Sequence, residues 1–228
     1  MPACRVRPNY KREEDVTYTT RRIFVALGLV TLLAAPFAQA QQPASAPAPV
    51  RVRGTIDTLT DDAITIVKKD GTKQVVALPP KYSVNALVKA QLSDIKQGVF
   101  IGTTARPSKD GSLHATEVHI FPEAMRGAGE GHYPWDTDAD ATMTNAAVSE
   151  MVSAVDGSTL NLKYKTSDGK TGETKVTVVP TTSIVSVTPG SKDDLKKGAS
   201  VFAICQTLPD GSLKTGFLLV GRGVSPPM

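Results

Sequence analysis

The chain repeats itself at a fixed interval of 100 residues. LSDIKQG (92–98) matches KDDLKKG (192–198), and KDGSLHATEVHI (109–120) matches PDGSLKTGFLLV (209–220). Upstream, TDDAITIVKKDGTKQVVALP resembles VDGSTLNLKYKTSDGKTGETKVTVVP at slightly smaller offsets. Two separate matches in one register are hard to obtain by chance. They indicate a tandem duplication, and a chain of this kind must fold as two related units.

Each unit has the pattern of β-structure. Ile64-Thr65-Ile66 and Leu160-Asn161-Leu162 alternate apolar with polar residues, which is the period of a half-buried strand. Asp-Gly pairs interrupt the apolar runs where hairpins would turn, because glycine tolerates positive φ there. These pairs are Asp70-Gly71, Asp110-Gly111, Asp156-Gly157, Asp168-Gly169 and Asp210-Gly211.

One short helical turn interrupts each unit. In the second unit, Ser191 can cap it, Asp194 follows as in a capping box, and Gly198 ends it. In the first unit the matching turn passes through Asp94 to Gly98. Five strands with a helical turn before the fourth predict a small closed barrel of the OB type, with a compact β-sandwich as the alternative. About 75 residues is small for an independent core, so we expect the two barrels to pack together.

The predicted organisation has five parts. They are a signal peptide (1–40), a Pro/Ala-rich linker (41–49), the first barrel (50–122), a connector (123–145) and the second barrel (146–222).

The N-terminal segment is typical of a secretory leader. Arg21-Arg22 precede an apolar run, Ile23 to Ala35, and Ala38-Gln39-Ala40 is a small-x-small cleavage pattern. The run is shorter than the roughly 20 apolar residues of a membrane-spanning helix, so no stable membrane anchor is expected. Thr20 to Val25 resembles the twin-arginine signal, although the ordinary Sec route is preferred. The predicted mature protein begins at or near Gln41 and is periplasmic or secreted.

Removing the leader also removes most of the net positive charge, which is +4 for the full sequence. It takes six of the 26 basic residues and three of the 22 acidic ones, leaving a net charge of +1. Nucleic-acid binding needs a concentrated positive field, so nucleic acid is not an expected partner.

Cys205 is then the only cysteine, and its apolar run VFAIC predicts a buried thiol rather than a nucleophile. We find no catalytic constellation and predict that the protein is not an enzyme.

The connector contains GEGHYPWDTDADATMTN (129–145), where polar and aromatic residues gather. Asp136, Asp138 and Asp140 alternate as calcium-loop acids do, but the EF-hand glycine and final glutamate are replaced by alanines. His132 with these aspartates could instead hold zinc. The primary expectation is that no cofactor is bound, and a Ca²⁺ or Zn²⁺ site at these four residues is the alternative.

Two aromatic side chains suggest another role for the connector. Tyr133 and Trp135 can pin it onto a barrel by burying their rings, which is the preferred interpretation. Together with His132 they can also contact a ligand or partner. His114 and His119 are interpreted as incidental, since their counterparts in the second unit are Lys214 and Leu219.

GEGHYPWD followed by TMTNA (142–146), flanked by two such units, resembles a family of bacterial exported proteins of unknown function. The resemblance covers essentially the whole mature chain and implies a repeated OB-like β domain. Some members are labelled as metal-transport permeases. A permease needs several spanning helices, and the sequence predicts none beyond the leader.

The sequence therefore favours a non-catalytic envelope or periplasmic protein that binds another envelope protein, a polymer or a small ligand. A periplasmic metal-binding protein using His132 and Asp136–Asp140 is the alternative.

Overall fold

The computed structural model describes residues 48–109, 111–154 and 157–226, so the leader 1–40 and most of the linker 41–49 lie outside the described residues. The described residues form an all-β fold whose only helical pieces are the 3₁₀ turns Leu92–Asp94, Glu123–Met125 and Lys192–Asp194. The strands are β1 (Val50–Leu59), β2 (Ala63–Val67), β3 (Lys73–Ala77), β4 (Ser83–Lys89), β5 (Phe100–Pro107), β6 (Leu113–Ile120), β7 (Gly131–Pro134), β8 (Thr142–Ala154), β9 (Gly157–Lys165), β10 (Thr171–Val178), β11 (Ser183–Pro189), β12 (Ser200–Thr207), β13 (Leu213–Lys214) and β14 (Phe217–Gly221).

Five strands close a first ring. β1 pairs with β2 and β2 with β3, both antiparallel. β3 then pairs in parallel with β13, with Val76 opposite Leu213. β12 pairs antiparallel with both β13 and β1, and this closes the ring. Strands β1 to β3 come from the first repeat, whereas β12 and β13 come from the second.

A second ring has the same order of pairings with the repeats interchanged. β8, β9 and β10 form the antiparallel meander, and β10 pairs in parallel with β6, with Val176 opposite Leu113. β5 joins β6 back to β8. The two rings are therefore related by a reciprocal exchange of strands between the repeats.

The predicted arrangement of one barrel in each repeat, 50–122 and 146–222, differs from these pairings, because neither repeat closes a ring alone. Two strands, β4 and its counterpart β11, lie outside the five strands predicted for each repeat. β4 and β11 pair antiparallel with each other, with Leu87 opposite Val187, and extend the sheet to β14 and β6. Both repeats belong to one compact unit, Ser45–Met228.

The alternation predicted for the strands is confirmed inside the rings. Ile64 and Ile66 are fully buried in the first ring, and Leu160 and Leu162 in the second. Each interior takes side chains from both repeats. Leu195 packs in the first ring, and its counterpart Ile95 packs in the second. Each helical turn therefore contributes to the ring that contains the three-stranded meander of the other repeat.

The two helical turns have the predicted caps. Asp194 Oδ2 accepts a hydrogen bond from the Ser191 backbone N–H at 2.7 Å, and Asp94 Oδ2 accepts one from Gln91 at 2.9 Å. Asp194 alone also accepts two hydrogen bonds, each 2.8 Å, from the Arg222 guanidinium. The residue equivalent to Arg222 in the first repeat is Pro122.

This difference makes a prediction about acid stability. The Arg222 hydrogen bonds and the Ser191 N–H lower the pKa of Asp194 below its usual range. A depressed folded-state pKa stabilises the protein above the unfolded value of about 3.9, and this contribution is lost as the pH falls below it. We therefore expect Asp194→Asn to lower the free energy of unfolding more than the matched variant Asp94→Asn at about pH 7, and the gap to shrink towards about pH 3. Urea denaturation at both pH values measures this, and equal effects at neutral pH would contradict it.

Candidate functional site

A third buried cluster lies outside both ring interiors and contains the connector. Its buried members are Leu87, Trp135, Ala141, Met143, Val185, Val187, Phe202 and Leu219. Trp135 is 8% exposed, and its ring centroid lies 6.5 Å from that of Phe202 on β12 and 6.2 Å from that of Tyr133. The preferred interpretation of Tyr133 and Trp135 as rings that pack the connector against the fold therefore agrees with the structure.

Backbone pairing aligns this part of the connector. β7 pairs antiparallel with β8, with His132 opposite Thr144, and the Trp135 N–H donates to the Ala141 carbonyl at 2.7 Å. These bonds close the loop 136–140 and direct the Trp135 ring towards β12.

Two arginines of β1 meet the connector. Successive odd-numbered residues of a strand point to the same face, so Arg51 and Arg53 lie side by side. Arg53 donates two hydrogen bonds to Asp136, at 2.9 and 2.7 Å, and the Arg51 guanidinium lies 4.2 Å from the centroid of the Trp135 ring. Partial burial acts to raise the pKa of Asp136, but the hydrogen bond and charge of Arg53 outweigh it and lower the pKa.

A cavity of about 300 Å³ opens beside this cluster. Most of its lining is apolar or aromatic. The lining residues are Pro49, Arg51, His119, Phe121, Met125, Ala128, Gly129, Tyr133, Trp135, Met143, Asn145, Val187, Phe202, Ile204, Phe217 and Leu219. Wider depressions of about 610, 900, 390 and 350 Å³ lie elsewhere among the described residues, and Tyr82, at the last of these, is the one aromatic side chain in their linings. A small, mostly apolar cavity with a few polar groups is the usual form of a ligand site.

Asn145, which lines this cavity, has an unpartnered acceptor on its buried side. Its Nδ2 donates to the carbonyls of Ala128 and Gly129, at 3.2 and 3.1 Å, and to Tyr133 Oη at 3.2 Å. These partners fix the orientation of the amide. Its Oδ1 is buried without a hydrogen-bond partner among the described residues, and the residue is 8% exposed. Gly102 makes room for this oxygen, because a Cβ there would lie 2.5 Å from it.

Trp135 adds an unpartnered donor. Its Nε1 is buried and has no hydrogen-bond partner in the described part of the chain. Buried polar atoms normally have partners, because leaving one unpaired costs about 1–3 kcal/mol. Asn145 and Trp135 both line the cavity, and each also carries one buried polar atom without a partner.

His119 also lines the cavity and is 4% exposed. Its Nε2 lies against Glu117 Oε1, although the geometry is too poor for a well-directed hydrogen bond. The interpretation of His119 as incidental misses this placement, since the repeat comparison with Leu219 predicts only an apolar environment. His114, in contrast, is half-buried and lies 3.1 Å from the Ser112 hydroxyl.

The structure separates the four residues of the predicted metal site. The His132 ring accepts or donates one hydrogen bond with Thr144 Oγ1 at 2.8 Å, and partial burial lowers its pKa. Asp136 pairs with Arg53, Asp138 pairs with Arg106, and Asp140 is exposed. No group of three or more His, Cys, Asp or Glu side chains is arranged to hold a metal ion within residues 48–109, 111–154 and 157–226.

Cys205 lies in the first ring, as its apolar neighbours predict. It is fully buried, and this burial raises the pKa of its thiol to about 11. The group is therefore a neutral thiol at physiological pH, which is unsuited to nucleophilic attack.

Comparison of the chain with protein-family models, curated proteins and solved structures finds no match. Among the described residues, no helix has the length and apolar character needed to cross a membrane.

Proposed function

We propose that the chain is a non-catalytic binding protein of the bacterial envelope, periplasmic or secreted, whose cavity beside the connector holds a small, largely apolar molecule. The observation that carries the proposal is this cavity, whose walls are mostly apolar or aromatic and also include the polar residues Arg51, His119 and Asn145.

The cavity walls indicate the character of the ligand. Phe121, Met143, Phe202, Phe217 and Leu219 present apolar surface, which favours an apolar body by the hydrophobic effect. Methionine and aromatic side chains also adapt to flat, polarisable molecules. At about 300 Å³ the cavity is at the small end of the range for ligand sites, so a compact molecule fits better than a polymer.

The wider assignments belong to the same proposal. The order of strands in each ring, with one parallel pair closing a meander onto a hairpin, is the order of an OB barrel, and it supports membership in the exported family that the connector motif resembles. Envelope localisation rests on the predicted leader 1–40. The neutral, buried Cys205 and the paired His119 support a non-catalytic role.

Binding of N-phenylnaphthylamine, a neutral dye that fluoresces in apolar sites, tests the proposal. We expect a saturable increase in fluorescence with one dye per chain. Ile204 is 43% exposed at the cavity, so Ile204→Trp should fill the space without disturbing a ring interior and abolish the signal. Val75→Trp is the matched control, because Val75 is 58% exposed and does not line the cavity.

The dye must respond differently in the two variants. Saturable binding that survives Ile204→Trp, or that is lost equally in Val75→Trp, would place the dye elsewhere and overturn the proposal. Absence of binding to the wild type would overturn it as well. Melting curves of both variants verify that they are folded.

A further inference from the structure

We infer that the ligand of this cavity carries an anionic group of the carboxylate or sulfonate class, and that Arg51 is the residue that selects it. The inference rests on the proposed function and specifies the chemistry of the same site.

Arg51 is placed at the edge of the cavity by the β1–β12 pairing. It lies directly opposite Ile204, and both residues line the cavity. Its guanidinium stacks 4.2 Å from the centroid of the Trp135 ring. Within residues 48–109, 111–154 and 157–226, the side chain forms no hydrogen bond or ion pair, although its charge acts to lower the pKa values of Asp136 and Tyr133.

The neighbouring arginine, Arg53, has its charge neutralised by a carboxylate. Arg53 is two residues further along β1, also faces Trp135 and Phe202, and is held by both carboxylate oxygens of Asp136. Asp136 bonds Arg53 through both of its oxygens, whereas Arg51 acts on Asp136 through its charge without a hydrogen bond. Arg51, unlike Arg53, also lines the cavity, so its N–H donors are placed to meet an anion there.

Stacking leaves the hydrogen-bonding edge of Arg51 usable. A guanidinium contacts an aromatic ring through its face, whereas its five N–H donors lie in the plane and match the two oxygens of a carboxylate. This edge of Arg51 therefore forms a donor-rich end of the site. An anion there is held more strongly than in water, because apolar walls reduce screening.

The test compares two dyes with the same anilinonaphthalene skeleton. N-phenylnaphthylamine is neutral, and anilinonaphthalene sulfonate carries the anion. Arg51→Met keeps an apolar stem against Trp135 but removes the charge. We expect it to weaken the sulfonate dye roughly ten- to hundredfold, the usual range for losing a hydrogen bond to a charged group, and the neutral dye much less. Arg51→Lys should recover part of the loss, because it restores the charge without the planar fork.

The neutral dye reports whether the cavity is intact in each variant. If the neutral dye binds the wild type but Arg51→Met weakens both dyes equally, or weakens neither, the inference is overturned and the proposed function stands. If the neutral dye does not bind in a manner blocked by Ile204→Trp, the proposed function itself fails. A recovery in Arg51→Lys alongside a selective loss in Arg51→Met supports the selection of anions by charge.

Discussion

Replacing Trp135 with alanine is expected to lower the free energy of unfolding by roughly 3–5 kcal/mol, the usual cost of removing a large buried aromatic side chain. The ring is 8% exposed, packs against Phe202 and Tyr133, and supports the Arg51 guanidinium. Its removal also opens the connector side of the third cluster, where Met143 and Leu219 would lose contacts. Chemical denaturation followed by circular dichroism measures the effect.

Trp135→Phe is the control for this variant. It keeps an aromatic ring in the cluster, and the indole N–H that it removes has no partner among the described residues, so the loss should be much smaller than for alanine. Because Trp135 is the single tryptophan, wild-type emission should be blue-shifted and protected from aqueous quenchers. A wild-type-like melting curve for Trp135→Ala would show that the connector does not contribute to stability through this ring.

Cutting the chain in the connector should leave both halves bound to each other. The loop at Ala139 and Asp140 is exposed and lies outside the strands, so a protease site inserted between these residues can be cleaved in the folded protein. Each ring then still contains strands from both fragments. We expect the fragments to elute together in size-exclusion chromatography and to separate only in denaturant.

Refolding provides the stringent form of this experiment. Neither fragment contains a complete ring, so each alone should remain unfolded, and the melting temperature of the cleaved pair should rise with protein concentration. The uncleaved chain with the same insertion should melt independently of concentration. Fragments that refold separately into stable domains would contradict the exchange of strands and support a self-contained barrel in each repeat.

The local features of the fold were predictable, and the pairing of distant strands was not. Alternation at Ile64–Ile66, the N-cap at Ser191 and the equivalence of the two repeats all depend on neighbouring residues, although the helical turn ends at Asp194, before the Gly198 expected to end it. The exchange of strands is different, because the two copies of each hairpin have similar apolar patterns and either can complete a given meander. Which hairpin completes a meander depends on where β4 leads the chain, and the apolar residues of β4 do not specify its partner strand.

The candidate site was likewise predictable from the sequence only in part. Burial of Trp135 followed from the aromatic pair in the connector, and Asn145 lies in the segment TMTNA that carries the family resemblance. The position of Arg51 at the cavity did not follow, because it comes from β1, far from the connector in sequence, and that of His119 did not follow because its counterpart Leu219 predicted only an apolar environment.

The acidic loop shows how long-range pairing changes a local interpretation. Asp136 and Asp138 look like cation ligands when the connector is considered alone. In the fold, Asp136 pairs with Arg53 of β1 and Asp138 pairs with Arg106 of β5. Both carboxylates are therefore neutralised by ion pairs within the protein.

Strand exchange also constrains how the two repeats can diverge. The first ring packs Ile64 against a set that includes Val201 and Leu218, and the second packs Leu160 with Ile101 and Val118, so every interior combines residues from both copies. A volume change in one copy must then be compensated by a residue in the other copy. Evolutionary covariation should therefore connect the halves more strongly than it connects the β1–β3 meander with the β5–β6 hairpin of its own repeat, and a recombination event that replaces one half alone would mismatch both interiors at once.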